Sequence, residues 1–293
     1  MSELAGTNVT VEKPATTAAP AERDAGLSEI PRLFKVATVI IVAFLYAPIV
    51  VVVLAGLNAG DYLTFPPQGL SVRWVNSFLQ SSTFMPAYLL SLEIALAAAF
   101  IATILGAVVA LALSRLRFAG RSFLRASFLS PLMLPGLVLG LALYLYYLSF
   151  PLGLSRTLWG LIVGHVLIVT PVTLGTISSA LFAFDTSLEQ AARTLGAGPF
   201  RAFFTITMRI VWPSIMAGFI LATIISFGQF DVSLFLATPN LTPLPIAIYQ
   251  SLQSSFDPTA AAAGVFAIIL VVASMLVTNR LTNVRRLGGL RFH

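Results

Sequence analysis

Six long apolar runs constrain this chain more than any other feature. They cover residues 36–57, 86–113, 127–148, 158–181, 210–237 and 260–278. A bilayer core about 30 Å thick takes roughly 20 helical residues to cross, and each run is long enough. Three runs hold no ionisable residue, and the others hold one each, Glu93, His165 and Asp231. A transmembrane β-barrel would show shorter, alternating segments, whereas these are continuous and rich in Leu, Ala, Ile and Val. The expected fold class is therefore all-α, a polytopic membrane protein with six transmembrane helices. With 58% hydrophobic and only 10% charged residues, the chain has too little polar surface to cover a soluble core of its length.

Residues 1–30 are different: "TNVTVEKPATTAAPAERDAG" is rich in Ala, Thr, Pro and charge, has no apolar period, and is expected to be a disordered tail. It lacks the basic start and apolar middle of a cleaved signal, so the first run is expected to stay as a membrane anchor. The membrane-spanning body is then expected over 31–284, with a basic C-terminus at 285–293. With no cysteine there is neither a disulfide nor a thiolate metal site, and the two histidines offer no metal constellation. Most of the 17 basic residues fall in alternate connections: Arg32 and Lys35; Arg115, Arg117, Arg121 and Arg125; Arg193, Arg201 and Arg209; Arg280, Arg285, Arg286 and Arg291. The intervening connections hold only Arg73 and Arg156. The positive-inside rule then puts both termini in the cytoplasm. Charges spread over helix ends in this way do not form the single patch that nucleic-acid binding needs, so no nucleic-acid partner is expected.

The stretch "SLEQAARTLGAGPFRAFFTITMRIVWP", residues 187–213, interrupts the apolar pattern on that cytoplasmic side. Leu188, Ala191, Ala192 and Leu195 recur at helical spacing, and Ser187 with Glu189 is a plausible start. The run Gly196-Ala197-Gly198-Pro199 breaks the helix, and Phe200, Phe203, Phe204 and Ile206 begin a second amphipathic piece. A helix, a bend and another short helix on the cytoplasmic face are expected. From the residues alone, an interfacial loop and a partner-docking device fit equally well.

Gln190-Ala191-Ala192, then Gly196, then Ile206-Thr207-Met208-Arg209 fall at the spacing of the Glu-Ala-Ala loop of ABC importer permeases, which the stretch resembles. Gln190 stands where that family usually has Glu, with Glu189 just before it, and Met208 and Arg209 replace the usual Leu and Pro. "TFPPQGLSVRWV", "LSPLMLPGLVLGLAL" and "TPLPIAIYQSLQSSFDPTAAA" look like the spermidine/putrescine type, in particular its second permease subunit. The resemblance implies a type I, methionine-importer-like permease architecture whose coupling loop, about 185–209, seats in a groove of a separate ATPase. The coupling residues would be Glu189, Gln190, Ala191, Ala192, Gly196, Phe200, Phe203 and Ile206. It also implies a second permease subunit, two ATP-binding subunits carrying ATP and Mg, and an external solute-binding protein. This chain itself is expected to be no enzyme and to carry no cofactor: a phosphate-binding loop needs a Lys after its glycines, and no Lys follows Lys35.

Ionisable residues within a span are functional candidates by default. At about 1.5 Å per residue, Glu93 and His165 lie roughly 10 Å into spans that begin outside, and Asp231 roughly 30 Å along a span that begins inside. All three reach the outer part of the membrane, where two carboxylates favour a cation. Glu93 has an alternative as a partner of Arg73, and His165 as a helix-packing hydrogen-bond donor. In "SFGQFDVSLFLATP", Gly228 and Gln229 stand where the resembled segment carries acids, leaving Asp231 as the nearby carboxylate. Tyr147, with Tyr144 and Tyr146, fits either a cation–π contact or an interfacial aromatic belt. The expected substrate pathway is Asp231, Glu93, Tyr147 and Gln229. Pro131 and Pro135 with Gly136 mark either a hinge or a tolerated irregularity in the third span. The alternatives to polyamine import are ABC import of another small solute, such as an amino-acid derivative, opine or phosphonate, and a stand-alone secondary transporter.

Overall fold

The computed structural model describes residues 32–62, 66–150, 152–254 and 257–287. The expected disordered tail, residues 1–30, and the end of the basic C-terminus, residues 288–293, lie outside the described residues. Within those described, the chain is helical, with two isolated β-bridges in connections. It divides into two units, Met1–Ile49 and Val50–His293. The described part of the first unit is the opening of helix α1, Arg32–Gly56, whose apolar window has no buried residue. A helix apolar all round and uncovered is suited to lipid.

The second unit is built on α3 (Phe84–Arg115), after a short amphipathic α2 (Arg73–Gln80). Small residues on one face of α3, Ala95, Ala98, Ala99, Ala102 and Ala110, are all fully buried. They let neighbouring backbones approach closely, which is how helices associate where lipid removes the hydrophobic drive. Helix α6 (Leu158–Phe182) packs there through Leu161, Ile162, Val166 and Val169. The hydroxyl of Thr173 crosses the contact to donate to the Ala102 carbonyl at 2.7 Å.

The third expected span, 127–148, is not one helix. Between α3 and α6 lie α4 (Arg121–Leu129) and α5 (Gly136–Ser149), which meet at 108°. The 3-10 turn Ser130–Met133 ends in Leu134, held extended at ψ 136°. The backbone reason is Pro135, whose ring excludes the helical region for the residue before it. The proline pair therefore makes a true elbow.

The fifth expected span, 210–237, is corrected at both ends. After α7 (Ser187–Thr194), α8 (Pro199–Ala202) runs through a π-turn, Phe203–Thr207, into α9 (Met208–Phe227), and Pro199–Phe227 forms one 29-residue span. Phe200, Phe203 and Ile206 thus lie in the first turns of a helix continuous with α9 and do not form a separate helix. At the other end, Gly228–Phe230 breaks the helix before a short α10 (Asp231–Leu236). Helix α11 (Leu244–Ser254), which the sequence pattern did not reveal, is anchored to α3 by the Leu244 amide donating to Ser91 Oγ at 2.7 Å. Helix α12 (Thr259–Leu287) completes the unit.

Candidate functional site

Two places concentrate polar chemistry, one at each end of the bundle. At the end away from α7, the broken helices α5 and α10 meet. A Cβ on Gly136 would stand 2.2 Å from Asp231 Oδ2 and 2.9 Å from Asp231 Cβ, so only glycine lets the elbow close on this half-buried carboxylate. Buried His165 reaches the same break from α6. Its Nδ1 lies 2.8 Å from Ser226 Oγ and its Nε2 lies 2.9 Å from Ser233 Oγ. Ser233 spends its own proton on the Gln229 carbonyl at 2.8 Å, so it must accept from Nε2–H, leaving Nδ1 to accept from Ser226. One neutral imidazole therefore bridges the two sides of the α9–α10 break.

Beside α10 opens a cavity of about 640 Å³. Its polar lining includes Thr83, Thr238, Asn240, Thr242, Tyr249 and Gln250, with Leu234 of α10 on one wall. It carries no charged side chain. Tyr249 meets Phe230 edge to face at 5.2 Å, joining the cavity wall to the break.

His165 is bonded to both sides of the break in which Gln229 and the start of α10 at Asp231 lie, whereas Glu93 belongs to α3. Glu93 lies on the exposed face of α3 with Leu89, Leu96 and Phe100, one turn beyond the cavity-lining Leu90. Its alternative partner, Arg73, is instead paired with Asp61 and stacked 4.3 Å from the Trp74 ring centroid. Among the described residues, neither Glu93 nor Asp231 belongs to an ion pair. The ring of Tyr147 is buried, and its hydroxyl donates to the Gly160 carbonyl at 3.2 Å, tying α5 to α6. Nothing in the local sequence announced Tyr249 or Gln250, because α11 looks like a polar connection between apolar runs.

At the opposite end, α7 begins with the Ser187 amide donating to Asp185 Oδ1 at 2.9 Å. Asp185, not Ser187, makes this start, and the Ser187 amide and hydroxyl hold its carboxyl below the usual range. Glu189 turns inward. Arg115 Nη2, at the end of α3, donates to Glu189 Oε2 at 2.6 Å, and the Thr207 hydroxyl donates to the same oxygen at 2.8 Å. Arg115 also donates to Thr207 Oγ1 at 3.2 Å, closing a triad that joins α3, α7 and the π-turn leading into α9. Partial burial pushes the Glu189 carboxyl up, but Thr207, Arg115 and the charge of Arg193 outweigh it and hold it below its ordinary value.

Helix α7 ends in a Schellman arrangement: the Ala197 amide donates to the Ala192 carbonyl at 3.1 Å and the Gly196 amide to Arg193 at 3.0 Å. Gly196 holds φ +91° with open space around it. With Glu189 turned in, Gln190, Ala191 and Gly196 are exposed and Ala192 half-buried. Leu195 is 88% exposed and Phe200 80%, leaving an uncovered apolar surface on the bend. Phe203 and Ile206 are half-buried against the start of the span.

A helical bundle with one elbowed span, a broken span ending at a polar cavity, and an ordered apolar loop at the far end has the fold of ABC importer permeases. The crystal structure of a bacterial alginate ABC transporter in complex with an alginate pentasaccharide-bound periplasmic protein has a chain that superposes with TM-score 0.68 at 16% identity, covering 86% of this chain and 92% of that one. Residues 102–286 match the family of binding-protein-dependent transport system inner membrane components, and the chain belongs to that family. It is 33% identical over 223 residues to the putrescine transport system permease protein PotI of Escherichia coli, covering 73% of this chain and 78% of that protein. It is 28% identical over 241 residues to the spermidine/putrescine transport system permease protein PotC of Escherichia coli, covering 81% of this chain and 90% of that protein.

Proposed function

We propose that this chain is one permease subunit of an ATP-driven importer for a small organic cation, a polyamine such as putrescine or spermidine. The observation carrying the cation is that Asp231 and Glu93 both belong to membrane-embedded elements and neither is paired with a protein cation among the described residues. An unpaired carboxylate within a bilayer is expensive, and a passing amine offsets that expense where a neutral or anionic solute cannot. The polyamine permeases among its relatives support the same class.

An external solute-binding protein delivers the solute at the end bearing the 640 Å³ cavity. A second permease subunit completes the pathway and covers the α3 face that carries Glu93. Two ATP-binding subunits hold ATP and Mg and receive the exposed surface of α7 and Phe200 on the cytoplasmic side, the side on which the arginine distribution puts both termini. Because the Arg115–Glu189–Thr207 triad fixes α7 to two spans, closure of the ATPases moves α3 and α9 together. That movement alternates access between the two ends.

The test is uptake of labelled putrescine by proteoliposomes containing the assembled complex, its binding protein and internal ATP. Wild type concentrates the label, and Asp231→Asn lowers uptake at least several-fold while the complex still assembles. Full uptake by Asp231→Asn removes the residue from the pathway. Failure of wild type to transport any polyamine, with another solute accumulated instead, overturns the substrate class.

A further inference from the structure

A second cavity, of about 150 Å³, lies at the α7 end of the bundle between α4 and the closing turns of α3 and α6. Arg121 and Arg125 line it from α4, and Gly175, Ser178 and Ser179 from α6, over a floor that includes Leu113. The arginines are four residues apart, so successive turns of α4 present both guanidinium groups to one space. No acidic side chain lines the cavity. Neither arginine belongs to an ion pair among the described residues; of the loop's acids, Glu189 is engaged by Arg115 and Thr207, and Asp185 accepts from the Ser187 amide.

Two arginines in no ion pair among the described residues, lining a small space together with Ser178, form a receptor for a phosphate, whose tetrahedral oxygens match the planar guanidinium fork. Depth decides between sources of that phosphate. Helix α3 ends at Arg115 and α6 at Phe182, so Leu113 and Gly175–Phe182 place the cavity within roughly 10 Å of the span ends, at headgroup level. Phe123 and Phe182, on the same two helices as the polar lining, are 77% and 55% exposed and available to acyl chains. We infer that the cavity between Arg121, Arg125 and Ser178 binds the phosphodiester headgroup of an anionic phospholipid. Seated there, the lipid braces α4 against α6 and thereby steadies the elbow that positions Gly136 on Asp231.

Native mass spectrometry of the purified full chain in detergent, titrated with phosphatidylglycerol or phosphatidylethanolamine, tests this. At about 1 kcal/mol for each arginine that lines the cavity, Arg121→Gln/Arg125→Gln is expected to weaken phosphatidylglycerol binding about thirtyfold. Arg117→Gln, outside the cavity lining, leaves it unchanged. Gly175→Leu keeps both charges but fills the cavity, since a Cβ there meets nothing within 4 Å. It is expected to abolish the preference for phosphatidylglycerol over phosphatidylethanolamine while the helical circular dichroism spectrum stays as in wild type. Equal binding of the two lipids by wild type, or undiminished phosphatidylglycerol binding in both the double variant and Gly175→Leu, overturns the site. Displacement of the lipid by millimolar inorganic phosphate reassigns the cavity to a soluble anion and equally refutes the lipid.

Discussion

Glu189→Gln isolates the triad that fastens the loop to the bundle. The side chain of Glu189 is 15% exposed and that of Arg115 32% exposed. This pair lies between a solvent-exposed one, worth under about 1 kcal/mol, and a buried one, where removing one partner costs about 3–5 kcal/mol. Glutamine keeps an oxygen that can accept from Arg115 or Thr207 but removes the charge, so about 2 kcal/mol of restraint is lost. If α7 opens locally, that is about a thirtyfold rise in its open population. Hydrogen exchange of the α7 amides in the assembled, nanodisc-embedded complex reads it directly, and ATP hydrolysis stimulated by the loaded binding protein reads the consequence. Gln190→Ala, at an exposed neighbouring position, is the control and changes the exchange little. The pH dependence has a definite sign. The Glu189 carboxyl is held below its ordinary value of 4.5, so its stabilisation is fully present above 4.5 and fades as pH falls through the lower folded-state value. Wild-type α7 therefore gains a larger acid-induced rise in exchange than Glu189→Gln, in which the Asp185 carboxylate at the start of α7 still titrates. Unchanged α7 protection in Glu189→Gln, or identical acid profiles for the two proteins, refutes the triad as the fastening.

Gly196→Ala places a Cβ in open space at φ +91°, so its effect is backbone strain of about 1–2 kcal/mol without a clash. Membrane insertion should be normal and stimulated ATPase activity reduced, measured on the same preparations. Gly136→Ala instead drives a Cβ onto Asp231 Oδ2 at 2.2 Å, and overpacking of this kind costs about 1–3 kcal/mol. Uptake and thermal midpoint should both fall, and Asp231→Gly in the same chain should recover the midpoint but not the uptake. Equal midpoints for Gly136→Ala with and without Asp231→Gly would show that the two residues do not touch.

The parts of this fold legible in the sequence are those governed by hydropathy and helical period. The apolar run at 158–181 became α6 almost residue for residue, and the run at 86–113 gained one short extension at each end in α3. Both lie in the bundle's interior, where length and apolarity decide the outcome. The elbow before Gly136 was half legible: two prolines flagged it, but hydropathy has no direction and could not tell a 108° turn from a tolerated kink. The break at Gly228–Phe230 was illegible because its stabilisation comes from elsewhere in the chain. No proline marks it, and its carbonyl at Gln229 is satisfied by a serine that His165, 68 residues earlier, holds in place. Treating 210–237 as a straight rod placed Asp231 by counting rise, whereas its position is set by contact with Gly136.

The same distinction separates what was found from what was missed in the loop. Gly196 announced itself locally, since a glycine after an amphipathic turn is a helix stop, and its positive φ follows from that chemistry. Arg115 looked like one more positive charge at a membrane edge. Its partner lies 74 residues away, and only the parallel packing of α3 and α6 returns the chain to within 2.6 Å of it. A Glu one position ahead of the family's usual acid lies on a different face of the helix. On a helix, a shift of one residue turns a side chain by about 100°, and here that turn points Glu189 at Arg115 and Thr207 while leaving Gln190 at the surface. The inward position fastens the loop and the outward one lies at the surface. Sequence spacing alone does not distinguish the two positions, and the packed structure does.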